Sequence, residues 1–210
     1  NKSALQGFRE ALLQNPNNKN LKEIVENCPE DHSGAYFSYF GLAKSGFEEP
    51  MTTHSDHYNS NYAYSTAAYS KGEVFMEQLG YIVGVEVRNK ILLEYYNKWR
   101  FKHPNANDLI RVAEDVSGIQ LDWYKEYCVS TTKTIDYKID SLGEENGISK
   151  IRLKRIGHMP MPVDLQLTYK DGSTEMFNIP LNLMFGKKPN EQPAQKREVL
   201  QEWKWTHPTY

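Results

Sequence analysis

Hydrophobic residues recur every three or four positions over roughly the first 130 residues, and this spacing predicts helices there. Leu5, Phe8 and Leu12 mark a first short helix near the start of the chain. Asn20 is expected to cap a second short helix that runs through Val25. The chain is therefore expected to begin with two short helices.

From Tyr62 to Cys128 the pattern is almost entirely helical. Residues 34–43 are rich in aromatic side chains without a clean period, so the pattern there does not separate helix from strand, and helix is the preferred interpretation. The clearest helical stripe comprises Leu109, Val112, Ala113 and Val116. Asn105 or Asn107 is expected to cap the start of this helix, and Gly118 to end it. These segments predict one layered helical bundle.

After Thr131 the period of the hydrophobic pattern changes from about 3.6 to 2, which is the spacing of half-buried strands. Alternating apolar residues in this part are Ile135, Tyr137, Ile139, Val163, Leu165, Leu167 and Tyr169. We therefore expect a helical domain over residues 1–131 and an antiparallel β module over residues 132–210. The predicted fold class is α+β.

Three features are expected within the β module. The sequence Lys170-Asp171-Gly172-Ser173 predicts a hairpin, because Asp-Gly supplies the positive φ angles of a two-residue primed turn. Residues 187–197 contain two prolines and predict a mobile loop. Trp203 and Trp205 are expected on one side of a final strand, whose apolar character suggests that the module is truncated or continues further.

Charge and composition exclude some classes of partner. The chain has 25 basic and 27 acidic residues, well mixed, and a net charge of -2. No field of a single sign marks a surface for nucleic acid or for an anionic membrane. The mean hydropathy is -0.70, and no apolar run approaches the roughly 20 residues needed to cross a bilayer. Neither nucleic acid nor a transmembrane segment is expected.

The two cysteines, Cys28 and Cys128, do not show the spacing of a metal site. They are interpreted as buried free thiols, and a disulfide is the alternative if the parent protein is exported. The chain begins Asn1-Lys2-Ser3 without a signal-peptide pattern, which says little about the compartment if the chain is part of a longer protein.

The segment Tyr64-Ser65-Thr66-Ala67-Ala68-Tyr69-Ser70-Lys71-Gly72 runs directly into an amphipathic stretch that ends at Gly84. It resembles the tyrosine-bearing helix of the aminopeptidase N-like gluzincin zinc metallopeptidases, in which a Tyr-x-Lys-Gly sequence lies about one helix beyond the zinc ligands. The resemblance centres on residues 49–84. It extends more loosely over residues 34–130.

The resemblance implies a fold and a role for two tyrosines. The fold would be the helical C-terminal half of a thermolysin-like catalytic domain, followed by a small antiparallel β-sandwich-like module. Tyr69 matches the tyrosine whose phenol donates a hydrogen bond to the oxyanion of the tetrahedral intermediate. Tyr64 matches a second tyrosine that only some members of the family have. Both are candidate catalytic residues.

The zinc site that the resemblance implies is not visible in this chain. The family holds zinc with an H-E-x-x-H helix and a later glutamate, and none of the six histidines here is followed by glutamate. We therefore expect the chain to be the C-terminal part of a zinc aminopeptidase and to be inactive alone. Its expected partners are a peptide substrate and the upstream catalytic half of the parent protein. Aminopeptidase rather than endopeptidase specificity is implied by the resemblance alone.

Other polar residues near this segment are interpreted structurally. Lys71 is predicted to be a solvated or helix-end charge, and Gly72 a position of close packing. His54 and His57 are separated by two residues, but no third ligand is near, so they are predicted to be satisfied or exposed histidines in a loop, with a position of this loop at the border of the substrate cleft as an alternative. The acidic pair Glu48-Glu49 is interpreted as solvated surface charge, with contact to a substrate amine as the alternative.

Two further readings of function remain open. Trp203, Trp205 and Tyr210 are able to form an aromatic platform in a binding module for peptides or glycans without catalysis. An inactive relative of the peptidases, used for interaction, is the other possibility. Related bacterial enzymes of this layout are often exported, so the resemblance favours a periplasmic or surface location.

Overall fold

The computed structural model describes residues 4–27, 32–191 and 196–210. Helices fill the chain as far as Val129 and strands follow from Tyr137, so the predicted α+β class is confirmed. The chain divides into two compact units, Asn1–Gln78 with Ser130–Thr132, and Leu79–Val129 with Lys133–Tyr210. The predicted domain boundary between residues 131 and 132 stays a prediction.

The first unit is helical and contains the segment that carries Tyr69. Its elements are α1 (Ala4–Gln14), α2 (Lys19–Asn27), α3 (Ser33–Ser45), a 3-10 turn (Ser55–His57), α4 (Asn61–Ser65), a π-helical segment (Thr66–Lys71) and the start of α5 (Gly72–Val83). Leu5, Leu42 and Ala67 lie fully within its core. The backbone N–H of Leu5 donates to Ser33 Oγ at 3.0 Å, which joins α1 to the start of α3.

The expected helix over residues 34–43 is confirmed by α3, but the predicted cap of the second helix is wrong. The Asn18 side chain, rather than that of Asn20, accepts a hydrogen bond from the backbone N–H of Leu21 at 3.1 Å. Asn20 lies inside α2, which begins at Lys19. A cap satisfies donors of the first helical turn from the residue before it, which is the position that Asn18 occupies.

The helices of the second unit are the remainder of α5, α6 (Val85–Trp99), α7 (Ala106–Ser117) and α8 (Asp122–Val129). The expected start of α7 is confirmed at Asn105, which forms a capping box with Asp108. Its expected end is confirmed at Gly118, which has a φ of 68°. Val112 and Ala113 of the predicted stripe are buried, Leu109 and Val116 are half-buried, and Ile110, outside the stripe, is buried as well. Among the described residues, no helix is both long and apolar enough to pass through a membrane.

The strands of the second unit form two small sheets. They are β1 (Tyr137–Glu145), β2 (Ile148–Arg155), β3 (Val163–Thr168), β4 (Thr174–Ile179) and β5 (Arg197–Val199). β1 pairs antiparallel with β2, and β3 with β4, as expected. β5 runs parallel to β4, so the prediction of a wholly antiparallel module is wrong for that strand.

The two-residue turn that was predicted between β3 and β4 lies instead between β1 and β2. The predicted hairpin is confirmed between β3 and β4, but only Gly172 in its loop has a positive φ, 85°. The backbone N–H of Gly172 donates to Tyr169 O and that of Tyr169 to Ser173 O, so the loop has three residues. The two-residue turn occurs instead between β1 and β2, where Asn146 and Gly147 have φ values of 55° and 75°.

The end of the chain is less regular than predicted. Trp203 forms an isolated β-bridge to Leu181, and Thr209 forms another to Lys154. The residues between Trp203 and Thr209 do not form a continuous strand. A turn interrupts the expected strand, because the backbone N–H of His207 donates to Lys204 O at 2.8 Å. Of the predicted loop over residues 187–197, residues 192–195 lie outside the described residues. Cys28 also lies outside them, and Cys128 is buried.

Two half-buried phenols form hydrogen bonds to the backbone near the ends of strands in the second unit. The Tyr81 hydroxyl donates to Pro162 O at 3.2 Å and accepts from the backbone N–H of Asp164 at 3.0 Å. Tyr137 makes the same pair of bonds with Met161 O and N, at 3.1 and 3.0 Å. Burial raises the pKa of both phenols, and the Asp164 carboxylate raises that of Tyr81 further.

These raised pKa values predict a loss of stability at alkaline pH. Above the unfolded tyrosine pKa of about 10, the unfolded chain loses protons that the folded chain keeps, so the free energy of unfolding falls as pH rises. We expect Tyr81→Phe to make this fall shallower in urea titrations between about pH 9 and pH 11. The exposed Tyr96 provides Tyr96→Phe as the matched control. An equally steep fall in Tyr81→Phe and in the parent would contradict this assignment.

Candidate functional site

Tyr69 lies in the π-helical segment Thr66–Lys71, between α4 and α5. Its side chain is 73% exposed, although both helices beside it carry buried residues. π-helical turns are rare, occur mostly as single-turn insertions within α-helices, and are frequent at functional sites. The structure thus presents the phenol of Tyr69 to solvent from an unusual piece of backbone.

The local sequence explains which side of this segment is buried. Ser60 caps α4 by accepting a hydrogen bond from the backbone N–H of Ala63 at 3.1 Å. Ala63 and Ala67 are fully buried, and they are four residues apart, which puts them on one face of a helix. Tyr62 and Tyr69 are exposed. Small residues thus bring one face against the unit's core and leave the tyrosines outside it.

Lys71 is buried, so its prediction as a solvated or helix-end charge is wrong. Its side chain is 2% exposed, and Nζ lies 2.7 Å from Oε1 of Glu48, whose side chain is 5% exposed. Nζ also donates to Thr131 O at 3.2 Å and lies 5.7 Å from the centre of the Tyr39 ring. The interpretation of Glu48 as solvated surface charge is wrong for the same reason. A buried ammonium requires such partners, because burial without them is costly.

A compact loop between α3 and α4 supplies Glu48. Glu49 in this loop accepts hydrogen bonds from the backbone N–H of Asn59 at 3.0 Å and from its Nδ2 at 3.1 Å. The Tyr58 hydroxyl donates to Pro50 O at 3.0 Å. Burial and the nearby Glu49 carboxylate raise the pKa of Tyr58. The loop is therefore closed on itself, which holds its acidic residues in defined positions.

Tyr64 is positioned differently from Tyr69. Its ring is half-buried and meets the ring of Tyr58 edge-on, with 5.5 Å between ring centres. Edge-to-face contacts of this kind stabilise packing. The two candidate tyrosines share one helical stretch, and only Tyr69 has a largely exposed side chain.

Of the two histidines in the same loop, His54 precedes the 3-10 turn as its N-cap residue and His57 ends it. His54 and His57 are exposed, as expected, and their ring centres are 5.4 Å apart. Within residues 4–27, 32–191 and 196–210, no group of three or more His, Cys, Asp or Glu side chains is arranged to hold a metal ion. The predicted close packing at Gly72 is wrong, because an added Cβ would meet Met51 Cε at 3.9 Å, an ordinary contact distance.

The three aromatic residues near the end of the chain lie in the second unit. Trp203 is 3% exposed, and its Nε1 donates to His207 O at 2.9 Å. Its ring centre is 5.4 Å from those of Tyr137 and Tyr210. Trp205 lies under the guanidinium of Arg155, at 3.7 Å from the ring centre. Trp203 therefore belongs to the core of this unit, with no face open to a ligand.

One feature of the sequence indicates that Lys71 is buried, although the sequence analysis predicted it to be solvated. Lys71 continues the series Ala63 and Ala67 at intervals of four, and these alanines define the buried face. A lysine at such a position needs a carboxylate partner, but nothing in the sequence identified Glu48 among 27 acidic residues. The π-helical turn gave no sequence signal that we recognise.

Comparison of the chain with models of protein families, with curated proteins and with solved structures finds no match in any of the three.

Proposed function

We propose that this chain is the C-terminal part of a zinc-dependent aminopeptidase of the aminopeptidase N-like gluzincin family, in which Tyr69 stabilises the tetrahedral oxyanion. In this proposal, the helices belong to a thermolysin-like catalytic domain, and the strands form a small β-sandwich-like module after it. The observation that carries the proposal is the exposed phenol of Tyr69 on a π-helical segment. The buried ion pair of Lys71 and Glu48 adjoins it.

The chemistry asked of Tyr69 is that of a neutral hydrogen-bond donor. When a nucleophile adds to the carbonyl carbon of a peptide bond, the carbonyl oxygen gains negative charge. A phenol hydroxyl donates one directed hydrogen bond to that oxygen and keeps its proton. Such a bond is stronger in the transition state than with the neutral carbonyl, which is the condition for accelerating the reaction. Collapse of the intermediate restores a carbonyl group, breaks the C–N bond and expels the amine, which takes up a proton, and the hydrogen bond from the phenol weakens again.

The described residues of this chain do not fit a zinc site, since no cluster of suitable ligands is present among them. In the proposal, residues outside this chain hold the metal and complete the active site. Tyr64 is the second candidate, and its contact with Tyr58 supports a packing role. Tyr69 is therefore the residue on which the proposal depends.

The test is an assay of the natural full-length protein that contains this chain. We expect it to hydrolyse aminoacyl 4-nitroanilides with a free α-amine, and to leave the N-acetylated forms intact. Incubation with 1,10-phenanthroline should abolish this activity, and added Zn²⁺ should restore it, because the proposed reaction needs the metal. The reading frame upstream of Asn1 should encode H-E-x-x-H and a later glutamate.

Three results would contradict this function. Cleavage of the acetylated substrates would exclude an aminopeptidase, and full activity in the chelator would exclude a zinc enzyme. A full-length protein without the H-E-x-x-H ligands and without activity would be an inactive relative.

A further inference from the structure

Lys71 occupies an environment built for one ammonium group. Its Nζ is 2.7 Å from the Glu48 carboxylate and 3.2 Å from the carbonyl oxygen of Thr131, and the Tyr39 ring lies 5.7 Å away. The carboxylate balances the charge, the carbonyl accepts a second hydrogen bond, and the ring face attracts the cation. Ion pairs on a protein surface contribute little to stability. A buried pair offsets its loss of hydration only when the two groups and their other hydrogen bonds are well aligned.

The partners of Lys71 come from three separate parts of the first unit. Tyr39 belongs to α3, Glu48 to the loop that follows it, and Thr131 to the segment Ser130–Thr132. Glu48 is 23 residues from Lys71 along the chain, and Thr131 is 60 residues from it. The Lys71 side chain therefore ties the end of the π-helical segment to three independent elements.

The position of Lys71 determines where Tyr69 points. Residues two apart on a helix lie about 200° from each other around the axis, so burial of Lys71 turns Tyr69 outward. If the π-helical segment relaxed to a regular α-helix, the residues before Lys71 would move by one register position. That change would rotate the helix before the segment by about 100° relative to Lys71, and Tyr69, which lies within the segment, by part of that angle. Because π-helical turns are rare in proteins, contacts at its end are needed to stabilise this segment against a regular α-helix.

We propose that the buried Lys71–Glu48 pair positions Tyr69 by fixing the π-helical register of Thr66–Lys71. Lys71 and Glu48 are positioning residues, since they act through Tyr69 and not on the substrate. The predicted effect on catalysis rests on the proposed function of Tyr69. The predicted effect on the conformation of Thr66–Lys71 is independent of that function.

The test replaces both partners at once in the full-length protein, as Glu48→Leu with Lys71→Met. Single replacements would leave one buried charge unpaired and endanger folding, whereas an apolar pair of similar volume is usually tolerated. The matched control is Glu23→Leu with Lys44→Met, an exposed pair of the same unit with 3.1 Å between Nζ and Oε1. Rates on an aminoacyl 4-nitroanilide are measured for each variant with Tyr69 and with Phe at position 69.

We expect the buried-pair variant to retain its Tm and KM and to lose about 10- to 100-fold in kcat, because small displacements of a catalytic group cost that much. In the Tyr69→Phe background the same double replacement should cause no further loss, because the two changes act through one group. The exposed-pair control should retain full kcat. Provided that Tyr69→Phe itself lowers kcat, a buried-pair variant with full kcat, or one with an equal loss in both backgrounds, would overturn the proposal.

Amide hydrogen exchange separates this proposal from the proposed function. In the buried-pair variant, the amides of Thr66–Lys71 should exchange faster, while those of α7 should be unchanged. If Tyr69→Phe has full activity, the catalytic role of Tyr69 fails, and the exchange result alone then decides whether the pair fixes the segment. Unchanged exchange in Thr66–Lys71 would overturn the positioning role whatever the activity of Tyr69→Phe.

Discussion

Replacing Tyr69 by phenylalanine in the full-length protein is expected, under the proposed function, to lower kcat by about 100- to 1000-fold, the usual cost of removing one oxyanion donor. KM should change little, because the lost hydrogen bond forms mainly in the transition state. The side chain is 73% exposed, so the free energy of unfolding should change by less than about 0.5 kcal/mol. Steady-state kinetics and urea unfolding of the same preparation test both parts.

The control for this experiment is Tyr96→Phe, which removes a hydroxyl from another exposed tyrosine on α6. It should retain the parent kcat. Equal activity in Tyr69→Phe and the parent would remove Tyr69 from the mechanism. A rise in KM alone would indicate that Tyr69 binds the substrate without stabilising the transition state.

Replacing Trp203 by alanine is expected to reduce the free energy of unfolding by about 3–5 kcal/mol, the range for large aromatic residues in a core. The side chain is enclosed by Tyr137 and Tyr210 and is hydrogen-bonded to His207 O. Its removal leaves a cavity and takes away the partner of that carbonyl group. Urea unfolding monitored by circular dichroism measures the loss.

Phe101→Ala is the matched control in the same unit, because Phe101 is 99% exposed. Its effect should stay within about 0.5 kcal/mol. This comparison also tests the hypothesis that Trp203 belongs to an aromatic platform that binds peptides or glycans. If Trp203→Ala keeps its stability and loses binding of a peptide or glycan, Trp203 is a ligand contact and its assignment to the core is wrong.

Much of the helical part could be predicted because its signals are local. The start of α7 at Asn105 and its end at Gly118 follow from capping and from the left-handed backbone that glycine accepts. The helix over residues 34–43 was expected despite its irregular pattern, and α3 confirms it. In both cases, residues within one or two turns determine the outcome.

Lys71 shows where this local reasoning fails. A lysine is usually exposed, and its burial here depends on Glu48 and Thr131, which are distant in the sequence. The pairing of β5 with β4 likewise joins positions that are far apart in the sequence, such as Met176 and Arg197. Such contacts are decided by the tertiary structure, so local patterns in the sequence do not reveal them.

The β1–β2 turn is a different kind of error, because its signal was present. Asn146-Gly147 is among the strongest indications of a two-residue hairpin, and both residues have the positive φ that this turn requires. Our reading assigned that turn to Asp171-Gly172, where Asp171 does not have a positive φ. Asparagine adopts the left-handed conformation more readily than most residues, which favours Asn146-Gly147 for the tighter turn.

The burial of Lys71 also makes this residue a reporter of unfolding. Trypsin cleaves after lysine only when the side chain enters its specificity pocket, and a side chain that is 2% exposed cannot do so while the unit is folded. Cleavage between Lys71 and Gly72 therefore requires the unit to open. When opening and closing are faster than cleavage, the rate of this cut follows the population of the open form. Limited digestion thus gives a direct measure of how often the segment that carries Tyr69 comes apart.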